Sequence, residues 1–230
     1  AEADRPVPAL SPESSSRAEA LALFSQGLID EQQRNPAAAL TNFQQAVQLD
    51  PDNEDLHIRI AVGLLQQRRL DEAVTLMEEF VEGHPRAEKA LLSLALIYRA
   101  ADRTDKVISS YQRLIRIAPG EQDIYIELAS LYMREERPRE AIKLLQQASR
   151  RVEDPATIFR LLGSIHIRQA MNAETPAAAR RSRAEAARAF EEALRRTPNE
   201  ASLLFQLGAL AIEDGRIEDA LARYETIEKL

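Results

Sequence analysis

One spacing constrains this chain more than any other feature: a pattern of small, large apolar and proline positions that returns with a period of about 34 residues. Ala39, Phe43, Ala46 and Pro51 open the series. Ala73, Met77, Phe80 and Pro85 follow one period later, and Val107, Tyr111, Leu114 and Pro119 one period after those. Ala141, Leu145 and Ala148 continue it with the proline displaced to Pro155. Ala186, Phe190, Ala193 and Pro198 come after a longer interval, and Ala220, Tyr224 and Ile227 close the series. A single globular core gives no reason for a fixed period. A stack of similar units does, because each unit has an apolar side that only its neighbours can hide.

Ahead of each of these segments lies a second periodic half with a small residue at its eighth position: Gly27, Ala61, Ala95, Ala129, Gly163 and Gly208. Two helices of a hairpin cross closely only where side chains are nearly missing, so these positions and Ala39, Ala73, Val107, Ala141, Ala186 and Ala220 are the expected crossing points. Ala, Leu, Glu, Arg and Gln dominate the chain, and these residues lose little side-chain freedom in a helix. Asn35-Pro36 reads as an N-cap followed by a first-turn proline, where the missing N–H costs nothing, and Pro138 plays the same part. Pro51, Pro85, Pro119 and Pro198 stand where one helix must stop before the next begins. The fold class is all-α.

These residues resemble the tetratricopeptide-repeat (TPR) family, with six repeats at 20–53, 54–87, 88–121, 122–155, 156–200 and 201–230, over more than nine-tenths of the chain. The resemblance implies a single solenoid over 17–230, a right-handed superhelix of antiparallel hairpins whose first helices line a concave face. Three departures stand out. The aromatic residue that the family has at the fourth position is variously Leu23, His57, Leu91, Tyr125, Phe159 and Leu204; repeat five carries 11 extra residues; and repeat six stops before its closing proline. The extra residues, about 171–182, include the cap signal Thr175-Pro176, which predicts two lengthened helices with Ala170 and Met171 packing near Ala178 and Ala179. Arg180, Arg181 and Arg183 would then lie near the tip of a projecting finger. Residues 1–16, rich in Pro and Ser without helical periodicity, read as a disordered tail.

The residues for chemistry are sparse. Cysteine is absent, which removes disulfides, thiolate metal sites and a cysteine nucleophile. His57 and His166 fall in repeat slots suited to structural aromatics, His84 precedes a closing proline, and the three are too scattered to suggest a metal site. Glu78-Glu79, Glu135-Glu136 and Glu191-Glu192 read as solvated helix faces, since acid–base work needs a pocket that separates two pKa values. The expectation is a protein without catalysis, cofactor or metal. A net charge of −7 also runs against the basic surplus usual in nucleic-acid binders. No run of about 18 apolar residues offers a membrane span.

If the first helices line a groove, their fifth and ninth slots, one turn apart, face it together. In order these are Phe24 and Leu28, Ile58 and Val62, Leu92 and Leu96, Ile126 and Ser130, Arg160 and Ser164, Phe205 and Ala209, with Leu65 and Met133 extending the strip at the twelfth slot. The expected groove is apolar through repeats one to four and more polar at repeat five, suited to the amphipathic helix or extended peptide of a partner protein. Chaperone-tail binders of the family carry Lys and Asn at the fifth and ninth slots; apolar residues replace them here, so no such carboxylate clamp is expected. Residues 134–200 hold 14 Lys/Arg against 10 Asp/Glu, which makes the finger arginines a candidate secondary site for an acidic partner. Leu221, Tyr224 and Ile227 look uncovered at the end of the chain, which predicts either continuation of the natural protein, the preferred reading, or self-association through the last repeat.

The leading functional expectation is therefore a protein-interaction scaffold. The alternatives are the non-catalytic regulatory region of a larger enzyme, a secretion or envelope assembly factor, and, behind these, an RNA-binding helical repeat. Ala in place of an initiator Met fits a bacterial chain cut by signal peptidase and exported, as it fits simple trimming; of periplasm and cytoplasm the first is preferred.

Overall fold

The computed structural model describes residues 12–230, and all regular structure among them is helical. The helices are α1 (Pro12–Gln32), α2 (Pro36–Leu49), α3 (Glu54–Gln66), α4 (Leu70–Gly83), α5 (Glu88–Ala100), α6 (Thr104–Ile117), α7 (Gln122–Arg134), α8 (Pro138–Ala148), α9 (Ala156–Met171), α10 (Pro176–Leu194), α11 (Ala201–Glu213) and α12 (Ile217–Glu228). The chain divides into two compact units, residues 1–111 and 112–230, with the boundary inside α6, where the sequence suggested one continuous unit. In the first unit α1 packs on α2, α3 on α4, and α5 against both α3 and α4; in the second, α7 pairs with α8, α9 with α10, and α11 with α12.

The expected disordered tail, residues 1–16, overlaps the first helix at its end. Residues 1–11 lie outside the described residues, but α1 already begins at Pro12 and takes in Ser14 to Ser16. Proline is tolerated in a first turn because its absent N–H would have no intrahelical partner there. The cap signals at Asn35 and Thr175 act as read: Asn35 accepts from the Ala38 N–H at 3.3 Å and Thr175 from Ala178 at 3.2 Å, and Asn53, which the sequence reading does not name, accepts from Leu56 at 3.2 Å.

Within a hairpin, the close crossing takes a form the sequence reading did not give it. A Cβ on Gly27 would overlap the Phe43 ring, one on Gly163 the Phe190 ring, and one on Gly208 would sit 2.7 Å from the Tyr224 ring. The glycines thus receive an aromatic ring one turn beyond the alanine, instead of meeting the alanine itself. Where the eighth slot is Ala, the residue in the ring's place is Met77 or Leu145, with Tyr111 the one aromatic opposite an Ala. Phe43, Met77, Leu145 and Phe190 are all buried, and overpacking such a contact costs about 1–3 kcal/mol.

The turn between the helices of a hairpin also recurs. Arg34, Arg68, Asp102 and Glu136, at one position of successive repeats, have φ between 55° and 61°, and Gly215 has φ 74°. Arg34, Arg68, Asp102 and Gly215 end their helices with the same paired bonds, as in Arg69 N–H to Leu64 O at 2.9 Å with Arg68 N–H to Leu65 O at 2.9 Å, and Arg216 to Ala211 at 2.8 Å with Gly215 to Ile212 at 2.9 Å; at Glu136 the longer bond recurs, Arg137 N–H to Tyr132 O at 2.8 Å. This Schellman arrangement satisfies carbonyls that the helix end would otherwise orphan. Four non-glycine residues carry the left-handed conformation, at a cost of about 1–2 kcal/mol each relative to an ordinary backbone.

Polar ties set the register of stacked repeats. In the first unit the Glu54 carboxylate accepts from the Ala90 N–H at 2.7 Å, capping α5 from the repeat before it, and Asp55 pairs with Lys89 at 3.3 Å. In the second, Glu200 pairs with Arg160 at 2.9 Å, and Arg223 with Glu191 at 3.1 Å. Exposed pairs of this kind contribute less than about 1 kcal/mol each, so they choose the register more than they hold the fold. The stability comes from apolar layers such as Phe190, Leu203, Leu207 and Leu210, which join α10 to α11.

Candidate functional site

In the first unit the predicted strip divides by exposure. Phe24, Leu28, Ile58 and Leu65 are half-buried, and Phe24 rests against Phe43 with ring centroids 5.7 Å apart. Val62, Leu92 and Leu96 stand out: their exposures are 40%, 43% and 43%. Val62 and Leu96 occupy the same slot on α3 and α5, which pack together, and Leu92 and Leu96 are one turn apart. Asp55 and Lys89, at the same slot of successive repeats, pair at 3.3 Å beside the Glu54–Ala90 bond, so α3 and α5 lie with their first turns together. A residue the sequence reading missed, Leu21, is exposed beside Phe24 and lines a cavity of about 380 Å³ with Arg17, Asp50 and Leu56.

In the second unit Ile126 and Met133 are half-buried. Met133 lines a cleft of about 380 Å³ with Ser130 and Arg134 of α7 and with Leu161, Ser164, Ile165 and Arg168 of α9. A wider cavity of about 730 Å³ shares Met133, Arg134, Ile165 and Arg168 and runs on to Glu136, Gln169, Asn172 and Ser182. The sequence reading places Ser130 and Ser164 among the groove slots, with greater polarity expected at repeat five alone, and passes over Arg134 and Arg168, one helical turn further along. The signal was present as Ser-x-x-x-Arg at residues 130–134 and again at 164–168.

The expected arginine finger is only partly assembled. Arg180 and Arg181 are exposed or nearly so, but Arg183 is turned inward and pairs with Asp214 at 3.3 Å and Glu213 at 3.4 Å at the end of α11. The insertion therefore uses that charge to tie α10 to α11. Met171, expected to pack near Ala178 and Ala179, is 80% exposed because α9 ends there and Asn172 to Thr175 lead directly into α10. Tyr224, expected to lie uncovered, is half-buried over Gly208 with its ring 5.8 Å from Phe205, whereas Leu221 is exposed.

The histidines have structural partners. His57 packs on Phe80 at 4.2 Å between centroids, and Phe80 on His84 at 4.3 Å. His166 meets the Gln169 side chain at 3.1 Å. Two groups tied to a neighbouring helix titrate away from their ordinary range. Burial pushes the Glu200 carboxyl up, but hydrogen bonds from Arg160, Ser202 and Thr197 outweigh it and hold the group below the usual range. Burial, then the hydrogen bond to Glu78 at 2.5 Å, pushes the Tyr98 hydroxyl up. No helix of the described residues is long and apolar enough to cross a membrane.

Comparison with solved structures identifies the fold. MamA aligns with a TM-score of 0.55 at 16% identity, covering 76% of this chain and 90% of that one. A tetratricopeptide repeat protein from Parabacteroides merdae aligns at 0.54 and 16% identity, covering 92% and 80%. YrrB, described as a TPR protein with an unusual peptide-binding site, aligns at 0.52 and 17% identity, covering 80% and 90%. Among curated proteins no sequence matches. One tetratricopeptide repeat model matches residues 30–97 and again 98–165, and a second matches 176–229. TPR repeats generally mediate protein–protein interaction and serve as non-catalytic scaffolds. With 12 helices and no strand among the described residues, and with those models matching well over half of its length, the chain belongs to the tetratricopeptide repeat family.

Proposed function

We propose that the chain is an interaction scaffold whose first unit holds an apolar helix or extended segment of a partner protein along Ile58, Val62, Leu92 and Leu96. The observation that carries this reading is the exposure of Val62, Leu92 and Leu96, 40% or more each, at matched slots on two stacked helices. Their neighbours Leu56, Ile60, Leu91 and Leu94 are buried, so the helices have an interior face already and the exposed residues form a second one. Fully burying a Leu or Val side chain stabilises by about 1.5–3 kcal/mol, so completing the burial of three half-covered ones supplies a few kcal/mol toward binding. The strip is apolar where readers of RNA need polar, basic or stacking groups.

The test is affinity capture from the source organism's lysate by the wild type beside a Leu92→Glu, Leu96→Glu variant, with circular dichroism on both. A protein held by the wild type and lost by the variant, at unchanged helicity, supports the strip. Equal capture by the two proteins sinks it.

A further inference from the structure

We propose that the cleft between α7 and α9 in the second unit is a separate docking site, which takes an acidic segment of a protein partner. Its carboxylates would sit on Arg134 and Arg168 while flanking apolar side chains rest on Met133, Leu161 and Ile165. The site is independent of the strip in the first unit and stands or falls without it.

The cleft is walled by a repeated pair. Ser130 and Arg134 line it from α7, and Ser164 and Arg168, at the same slots of the next repeat, line it from α9. Both arginines also line the wider cavity that continues the cleft. Among the described residues neither guanidinium has an ion-pair partner. Eight arginines of the unit are engaged by carboxylates; Arg116, Arg139, Arg150, Arg151, Arg180 and Arg181 are not among them, but none of these lines the cleft or the wider cavity, so Arg134 and Arg168 are the pair placed to meet an occupant. A guanidinium presents a planar fork of donors that fits a carboxylate with two parallel bonds. The floor of Met133, Leu145, Leu161 and Ile165 is apolar, so the occupant needs apolar groups beside its charge. The slots and residue types differ from the Lys/Asn clamp that the first repeats lack.

A protein segment fits this chemistry better than a nucleic acid. No aromatic side chain lines either cavity, so bases have nothing to stack on. Residues 112–230 carry 19 Lys/Arg against 19 Asp/Glu, which gives no general basic field for a polyanion.

The experiment uses the full chain and fluorescence anisotropy with a set of short labelled peptides that alternate Leu with Asp or Glu, their Asn/Gln counterparts, and an oligouridine. The acidic peptides are expected to bind about tenfold or more tightly than the amide versions, with affinity falling as salt rises. Arg134→Gln with Arg168→Gln removes that difference; Arg150→Gln with Arg151→Gln, an equal loss of exposed charge outside both cavities, preserves it. The proposal is overturned if the amide peptides bind equally, if no acidic peptide of the set binds, if the control pair abolishes the preference as well, or if oligouridine binds the cleft more tightly than the peptides do.

Discussion

Helices α3 and α5 of the first unit and α7 and α9 of the second are built on one repeat, yet they offer different surfaces from the same slots. At the ninth and thirteenth slots the first pair presents Val62 and Gln66, then Leu96 and Ala100; the second presents Ser130 and Arg134, then Ser164 and Arg168. The eighth slot, by contrast, stays small in both: Ala61 and Ala95 against Ala129 and Gly163. Neighbouring slots on one helix are thus under different physical constraints. The eighth must admit a side chain of the partner helix, while the ninth and thirteenth are exposed in all four helices and so free of that demand. The charge balance follows the same division, with 11 Lys/Arg against 18 Asp/Glu in residues 1–111 and parity in 112–230.

The strongest way to break the comparison is to violate the constrained slot in one unit only. Gly163→Leu drives a side chain into the Phe190 ring and should cost about 3 kcal/mol or more. Hydrogen exchange should show lost protection across α9 and α10 while amides of α3 and α5 keep theirs, since repeat stability depends on nearest neighbours. Unchanged protection of α9 would mean that the close crossing is not the constraint claimed for it. At the free slots, a change of comparable chemical size should leave stability alone: Leu92→Glu with Leu96→Glu is expected to shift the urea midpoint by less than the equivalent of about 1 kcal/mol.

Acid sharpens the contrast by weakening a tie confined to the second unit. The folded Glu200 carboxyl titrates below its unfolded value, so its contribution is fully present above the unfolded pKa of about 4 and is lost as pH falls through the folded one. Glu200→Gln should therefore flatten the stability-against-pH curve below about pH 4, read by thermal melts at a series of pH values. Retention of the wild-type slope in that variant would assign the acid sensitivity elsewhere. The smallest expected effects lie in the recurring turn. Gly215→Ala should destabilise by about 1 kcal/mol, and Glu136→Gly should stabilise by a few tenths, because each changes the cost of one left-handed residue. Equal and null effects at both positions would remove the turn from the account.

Much of this fold was legible in the sequence because its constraints are local or periodic. Asn35 and Thr175 announce helix starts through a side chain that bonds one turn ahead, and the spaced Gly and Ala announce the crossings. What was hidden has physical reasons. The left-handed turn recurs at Arg34, Arg68, Asp102 and Glu136, residues that do not advertise positive φ as glycine does; only Gly215 gave the signal. Arg183 looked free because its partner Asp214 lies 31 residues away on another helix, a distance that no helical periodicity spans. The cleft was half-visible: Ser164 falls in the repeat expected to be more polar, but Ser130 was counted into the apolar part, and the arginines one turn beyond them gain meaning only when α7 and α9 wall one cleft.

The most direct measurement of the central claim is photocrosslinking from within the apolar strip. A benzoylphenylalanine placed at Leu96, with the same probe at Glu82 of α4 as the exposed control, would be irradiated in the source cells and the adducts mapped by mass spectrometry. The account predicts an adduct at position 96 with an apolar segment of one partner protein and none at position 82. Adducts of equal yield at both positions, or at position 82 alone, would contradict it.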